Sequence, residues 1–233
     1  MKKLLVVLCS LLILCACSSK QEVIGVQEKP TNEELVGGWT LNEELNPIEG
    51  DVYFEKAKSK YTGMDLTPLF VLGSQPTDPS NIAYLCYGKA VVPNAVLGLK
   101  VAIVGVGENS EDTTFLNVVD FNVNDYLEGD GSTTPEGLMG GWQDNGDLEN
   151  TLHIKTNETF NKALNGLTGV AYSPVAVLAT QVVAGENYAI LATGKSVSAE
   201  PISHLYIMNI YEDLDGNSKL NNICGIDLST FNK

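Results

Sequence analysis

Histidine and cysteine perform much of the nucleophilic and acid-base chemistry of proteins, and this chain has few of them. Its two histidines are His153, in a predicted helix, and His204, at the start of a predicted strand. Neither lies near a serine or cysteine in a motif typical of nucleophilic catalysis. The sequence also has no glycine-rich phosphate loop and no metal-ligand spacing. We therefore predict that the protein is not an enzyme and uses neither a metal nor a cofactor.

The charge of the chain argues against nucleic-acid binding. The sequence has 29 Asp and Glu residues against 14 lysines, no arginine, and a formal net charge of −15. A nucleic-acid partner needs a basic face for its phosphates, and the commonest specific base contact uses arginine. We therefore expect no nucleic-acid partner, and we read the acidic surface as an aid to solubility.

The most informative segment for molecular recognition is residues 181–185, with the sequence Gln-Val-Val-Ala-Gly. Its flanks, 174–178 and 188–191, are β-branched, aromatic and apolar, which predicts two strands joined by a hairpin. Hairpin tips are normally rich in Gly, Asn, Asp, Ser and Pro, whereas this one carries Val182, Val183 and Ala184. One interpretation is that the tip enters a groove of a partner. The other is that the valines fold back against their own strands.

The chain contains an internal repeat that positions this hairpin. Fifteen residues between Phe54 and Leu99 recur 106 positions later, two glycines and one proline among them, and a Gly-Gly-Trp segment at 37–39 returns at 140–142. This indicates a duplicated domain. In the first copy the position of the apolar tip is occupied by residues 75–80, Gln-Pro-Thr-Asp-Pro-Ser, which is a conventional solvated turn. An apolar tip is therefore not required by the repeat itself.

Each copy is predicted to contain one helix followed by four strands. The helix of the first copy is expected near 51–58, with strands at 68–72, 82–92, 97–106 and 115–123. In the second copy a helix is expected over 147–164, with strands at 175–180, 188–193, 204–211 and 220–228. This order predicts an α+β fold in which one helix is wrapped by an antiparallel sheet of four to five strands.

Residues 181–185 in this setting resemble the first inhibitory loop of the cystatins, protein inhibitors of papain-like cysteine proteases. The resemblance covers residues 137–233, and it implies two tandem cystatin-like domains. It also implies that three segments form a wedge that blocks a protease cleft without being cleaved. These are Gly140 and Gly141, the hairpin tip (Gln181, Val182, Val183, Ala184 and Gly185), and a second hairpin turn that includes Leu214 and Asp215. The second turn departs from the family because it lacks the usual Pro-Trp and carries carboxylates instead.

The amino terminus is typical of a secreted, lipid-anchored protein. A basic start and a short apolar run end at Leu14-Cys15-Ala16-Cys17, which resembles the lipobox of bacterial lipoproteins. We expect a signal peptide at 1–16, lipid on Cys17, and attachment to a membrane surface outside the cytoplasm. The alternative is a plain signal peptide. Cys86 and Cys224 then remain, and we expect both to be buried free thiols.

The expected organisation is therefore a tether at 17–34, domain 1 at 35–127, a linker at 128–136 and domain 2 at 137–233. Because the linker is small and polar, we expect two separately folded units on a flexible string. We predict that domain 2 reversibly inhibits a papain-like cysteine protease. The alternative is a non-inhibitory adhesion or scaffold module that binds peptide or protein partners.

Overall fold

The computed structural model of the protein describes residues 38–78, 80–127, 141–145 and 154–232. The expected signal peptide, Cys17, the tether and the linker lie outside the described residues, and so do Gly140 and His153. Among the described residues, no helix has the length and apolar character needed to cross a bilayer. Neither Cys86 nor Cys224 forms a disulfide; Cys86 is buried, as expected, whereas Cys224 is only half-buried.

The two copies contain the same elements in the same order. The first copy consists of β1 (Thr40–Leu41), α1 (Val52–Ser59), β2 (Met64–Gln75), β3 (Ser80–Ala90), β4 (Gly98–Val106) and β5 (Thr114–Asp120). The second consists of β6 (Gln143–Asp144), α2 (Ile154–Ala163), β7 (Val170–Val183), β8 (Gly185–Ser196), β9 (Ser203–Glu212) and β10 (Ser218–Ile226). Each copy forms one antiparallel five-stranded sheet in chain order. The predicted meanders are confirmed, although several strands are longer than expected.

The irregularities of the sheets repeat as well. The pairing of β2 with β3 shifts register after Pro68 and again after Val71. The pairing of β7 with β8 shifts after Pro174 and Val177, which are the same two positions 106 residues later. A strand proline has no N–H to donate to the ladder, so it is found at bulges and edges. The duplication seen in the sequence is therefore present in the backbone.

The helix of the first copy is short, and its beginning is set by one side chain. Asp51 caps α1, because its Oδ1 accepts hydrogen bonds from the backbone N–H groups of Tyr53 and Phe54 at 3.0 and 2.9 Å. The same carboxylate accepts from the hydroxyl of Tyr84 at 2.8 Å. Burial and this bond raise the pKa of Tyr84. The helix is thereby fastened to one face of the first sheet.

The predicted α+β fold, with one helix wrapped by each sheet, is wrong. Over the described residues the chain is mostly β: it forms two antiparallel five-stranded sheets and two short α-helices, of eight and ten residues. Within α1 only Phe54 and Ala57 are buried, so the helix covers part of one sheet face and cannot serve as the centre of a domain. The sequence pattern located the helices but did not show how little apolar surface they bury.

Each sheet is covered on its other face by the other sheet. Along β3, Ala83, Leu85 and Tyr87 belong to a core that the two copies share, whereas the intervening Tyr84 and Cys86 pack with α1. In the second copy, Leu191 on β8 enters the shared core. The period of two along a strand thus sends alternate side chains to a helix and to the opposite sheet.

Polar contacts also join the two copies. Asn117 donates to the carbonyl of Phe231 at 2.8 Å, and Asn222 donates to that of Tyr126 at 3.2 Å. Lys195 forms an ion pair with Glu43 at 2.9 Å. The expectation of two separately packed units is therefore wrong, because the largest apolar cluster draws on both sheets. The domain boundaries themselves stay a prediction.

The shared core predicts that a destabilising core substitution in one copy also destabilises the other copy. Leu191→Ala removes a side chain that is 1% exposed, and we expect it to lower the free energy of unfolding by about 2–5 kcal/mol. In a Trp142→Phe background, the fluorescence of Trp39 reports on the first copy. Its urea midpoint should fall together with that of circular dichroism. Leu214→Ala, at an 86% exposed position, is the matched control. A Trp39 transition that does not move would show that the cores are independent.

Candidate functional site

The apolar hairpin tip projects from the second sheet. Strands β7 and β8 remain paired almost to the end, with Val182 opposite Glu186 and Val183 opposite Gly185, so that Ala184 alone forms the turn. The ladder between β8 and β9 reaches only to Glu186. Val182 is 70% exposed and Val183 is 42% exposed. The predicted hairpin is confirmed, and the valines do not fold back into the core.

The glutamine of the tip sequence has a structural role that both copies share. The side-chain amide of Asn187 donates to Oε1 of Gln181 across the hairpin at 2.8 Å. In the first copy, Asn81 donates to Gln75 in the same way at 2.9 Å. Since the first copy has the same hydrogen bond but no apolar tip, the bond stabilises the hairpin whatever residues form its tip. Val182, Val183 and Ala184 are the exposed residues of the tip.

Gly185 allows the tip to lie close to the neighbouring strand. Its φ is +124°, a conformation that side chains rarely adopt. A Cβ at this position would lie 2.3 Å from the carbonyl oxygen of Glu212 and 2.9 Å from the ring of Tyr211. The hydroxyl of Tyr211 also donates to the carbonyl of Ala184. The tip is thus held in one position by β9, a contact that the local sequence did not indicate.

The second predicted loop is a tight turn between β9 and β10. Oδ1 of Asp213 accepts from the backbone N–H groups of Asp215 and Asn217 at 2.9 and 2.8 Å. Hydrogen bonds from the side chain and backbone of Asn217 hold the pKa of Asp213 below its ordinary value. Leu214 projects from this turn and is 86% exposed. Asp215 is also exposed.

The three segments implied by the cystatin resemblance lie at one end of the second sheet. The hairpin tip follows β7, and the turn that carries Leu214 follows β9. The short strand β6 pairs Gln143 with Thr180. Gly141 lies two residues before β6, on the side of this strand that leads towards the hairpin tip. We call this set, comprising Gly141, residues 182–185, Leu214 and Asp215, the apolar edge.

Carboxylates lie at the base of the apolar edge. Glu186 on β8 is the register partner of Glu212 on β9. Glu186 accepts from the hydroxyl of Tyr188 at 2.8 Å, while Glu212 is buried and accepts from Thr159 of α2. Burial and the Glu186 bond raise the pKa of Tyr188. The edge therefore combines an apolar rim with acidic groups behind it.

The remaining chemistry-bearing residues are not brought together. His204 is exposed at the start of β9, at the opposite end of the sheet from the tip. Within the described ranges, no three His, Cys, Asp or Glu side chains are grouped so that they could hold a metal ion.

A scan against protein-family models, a search of curated proteins and a search of solved structures each found no match.

The close approach at Gly185 predicts a sharp difference between two glycines. Gly185→Ala should lower the free energy of unfolding by about 2–4 kcal/mol, because backbone strain and the Glu212 clash add together. Gly216→Ala also places a side chain at positive φ, +79°, but with no atom within 4 Å. It should cost only about 1 kcal/mol. Urea unfolding measures both. Equal costs would mean that the contact with β9 contributes nothing.

Proposed function

We propose that this protein is a reversible inhibitor of papain-like cysteine proteases and acts by inserting its apolar edge into the active-site cleft. The observation that supports the proposal is the convergence of the edge: the valine tip, Gly141 and Leu214 lie at one end of one sheet, and Val182 and Leu214 are largely exposed. Exposed valines at the end of a tight hairpin are a binding feature rather than a folding requirement, since the first copy folds with a polar turn there.

The physical basis of binding is apolar burial by a preformed tip. Burial of a valine side chain contributes about 1.5–3 kcal/mol at roughly 25 cal/mol per Å². The contacts of Tyr211 with Ala184 and of Glu212 with Gly185 fix the hairpin before any partner arrives, so little conformational entropy is lost on binding. A closed hairpin also presents no extended peptide across a catalytic thiol, which makes it a poor substrate.

The proposal places specific demands on the partner. Its cleft must accept Val182 and Val183 in an apolar subsite. Its rim must tolerate Asp215 beside Leu214, since the turn after β9 has carboxylates where cystatins usually have Pro-Trp. A protease with lysine or arginine along that rim is the best match, because unpaired carboxylates pressed against an acidic rim would be repelled.

The second candidate function is binding without inhibition. It is favoured by the same acidic turn, which removes the aromatic anchor from the third segment of the edge. In that case the apolar edge contacts a protein partner away from a catalytic cleft. The expected lipid anchor at Cys17 and a location outside the cytoplasm stay predictions under both proposals.

Inhibition of papain by the full chain tests the proposal. Val182→Asp should raise the inhibition constant at least about 100-fold, since burying an unpaired carboxylate replaces a favourable apolar contact. Val197→Asp is the matched control, because Val197 is 74% exposed in a different loop, and it should inhibit like the wild type. Val197→Asp should not move the urea midpoint, and Val182→Asp should lower it only slightly, because the new carboxylate stands opposite Glu186 across the hairpin.

Three outcomes separate the candidates. Stoichiometric, reversible loss of papain activity supports inhibition. Binding of papain without loss of its activity, measured by calorimetry and abolished by Val182→Asp, supports the second candidate. If micromolar protein neither binds nor inhibits papain and several cathepsins, the inhibitor proposal is wrong. The full chain is needed because residues 137–233 alone would expose half of the shared core.

A further inference from the structure

A second apolar tip lies in the first copy, in the loop that joins β3 to β4. This segment, residues 91–97, has the sequence Val-Val-Pro-Asn-Ala-Val-Leu and is called the 91–97 loop. Four of its side chains are large, apolar and exposed: Val91 by 71%, Val92 by 61%, Val96 by 84% and Leu97 by 41%. Four such residues in a loop of seven form a denser apolar surface than the tip at Val182 and Val183.

The backbone of the 91–97 loop is held so that these side chains face outward. The N–H of Val91 donates to the carbonyl of Gly63 at 2.9 Å, and the N–H of Ala95 donates to that of Val92 at 3.3 Å. Asn94 adopts a φ of +61°, which asparagine tolerates better than most residues. The turn thereby satisfies some of its own polar groups, which lowers the cost of placing it in an apolar medium.

The charges around the 91–97 loop differ from those of the rest of the chain. Residues 79–107 contain no carboxylate, although the whole chain has a net charge of −15. The acids nearest in register are Asp65, which pairs with Lys58 at 2.9 Å, and Asp120, which pairs with Lys100. Lys89 on β3 is the register partner of Asp65 on β2, and its side chain is exposed. Three lysines therefore surround the base of the loop with two aspartates.

The second copy provides an internal comparison. Its corresponding loop, residues 197–202, exposes only Val197 and Ile202 as large apolar residues, and it carries Glu200. The concentrated apolar tip with a slightly basic base is therefore a property of the first copy. It is not a requirement of the repeated fold.

We propose that the 91–97 loop is a membrane-contact element that inserts into the headgroup region of a bilayer containing anionic lipids. A convex apolar tip with a lysine at its base fits this partner, because the side chains enter the boundary of the acyl chains while the exposed Lys89 meets the headgroup phosphates. The pattern resembles a peripheral membrane anchor in its physics: apolar area supplies insertion, and the pairing of Asp65 and Asp120 with lysines limits repulsion by the anionic surface.

Vesicle flotation of residues 18–233, which lack both the expected signal peptide and the expected site of acylation at Cys17, tests this inference. The probes are vesicles of phosphatidylethanolamine with phosphatidylglycerol and vesicles of phosphatidylcholine alone. We expect binding to the anionic vesicles that weakens with salt. Val96→Asp should lower the bound fraction about tenfold or more, and Val96→Ser by less. The matched control Val197→Asp should float like the parent.

Two further measurements keep the result specific. An environment-sensitive fluorophore on Val96→Cys should shift to shorter wavelength when anionic vesicles are added, whereas the same label on Val197→Cys should not. Val96→Asp should retain any papain inhibition, so that failure of this inference differs from failure of the proposed function. If the parent protein floats with neither vesicle, or if Val96→Asp floats as well as the parent, the 91–97 loop is not a membrane contact.

Discussion

The face-to-face packing of the two sheets is the constraint on which the rest of the structure depends. Each five-stranded sheet has two faces to cover, and its helix, α1 or α2, packs against only one of them. Each copy must therefore hide one sheet face against the other copy, and side chains such as Leu85 and Leu191 meet in that layer. Duplication in this protein thus completes a core that one copy cannot complete alone.

This packing also determines where binding surfaces can lie. The faces of both sheets are occupied by a helix on one side and by the opposite sheet on the other, so the connections at the strand ends are the parts left free to vary. The apolar edge and the 91–97 loop are both such connections. Both carry valines that the core does not use. In both, hydrogen bonds to the backbone hold the turn in place, from the Tyr211 hydroxyl in the apolar edge and from backbone N–H groups in the 91–97 loop.

The two copies have diverged at opposite strand ends. At the β2–β3 connection the first copy has a polar turn, while the second has the valine tip at the β7–β8 connection. At the next connection, the β3–β4 loop of the first copy is mainly apolar, whereas the β8–β9 loop of the second copy has both apolar and polar residues, including Glu200. The shared Gln-Asn hydrogen bond below both hairpins shows that the framework was kept while the tips changed. In our two proposals, one end of the strands contacts a protein partner and the other contacts a membrane surface.

The sequence alone predicts the repeat, the antiparallel meanders and the apolar tip at Val182, because glycines, prolines and period-two patterns are local signals. It did not determine what covers each sheet. Residues 82–87 are apolar at nearly every position, which indicates a strand covered on both faces but not by which partner. The helix-wrapped fold was wrong for this reason. The hairpin tip requires glycine at position 185 and is held by Tyr211. Both facts depend on the tertiary structure, since they arise where strands distant in sequence come into contact.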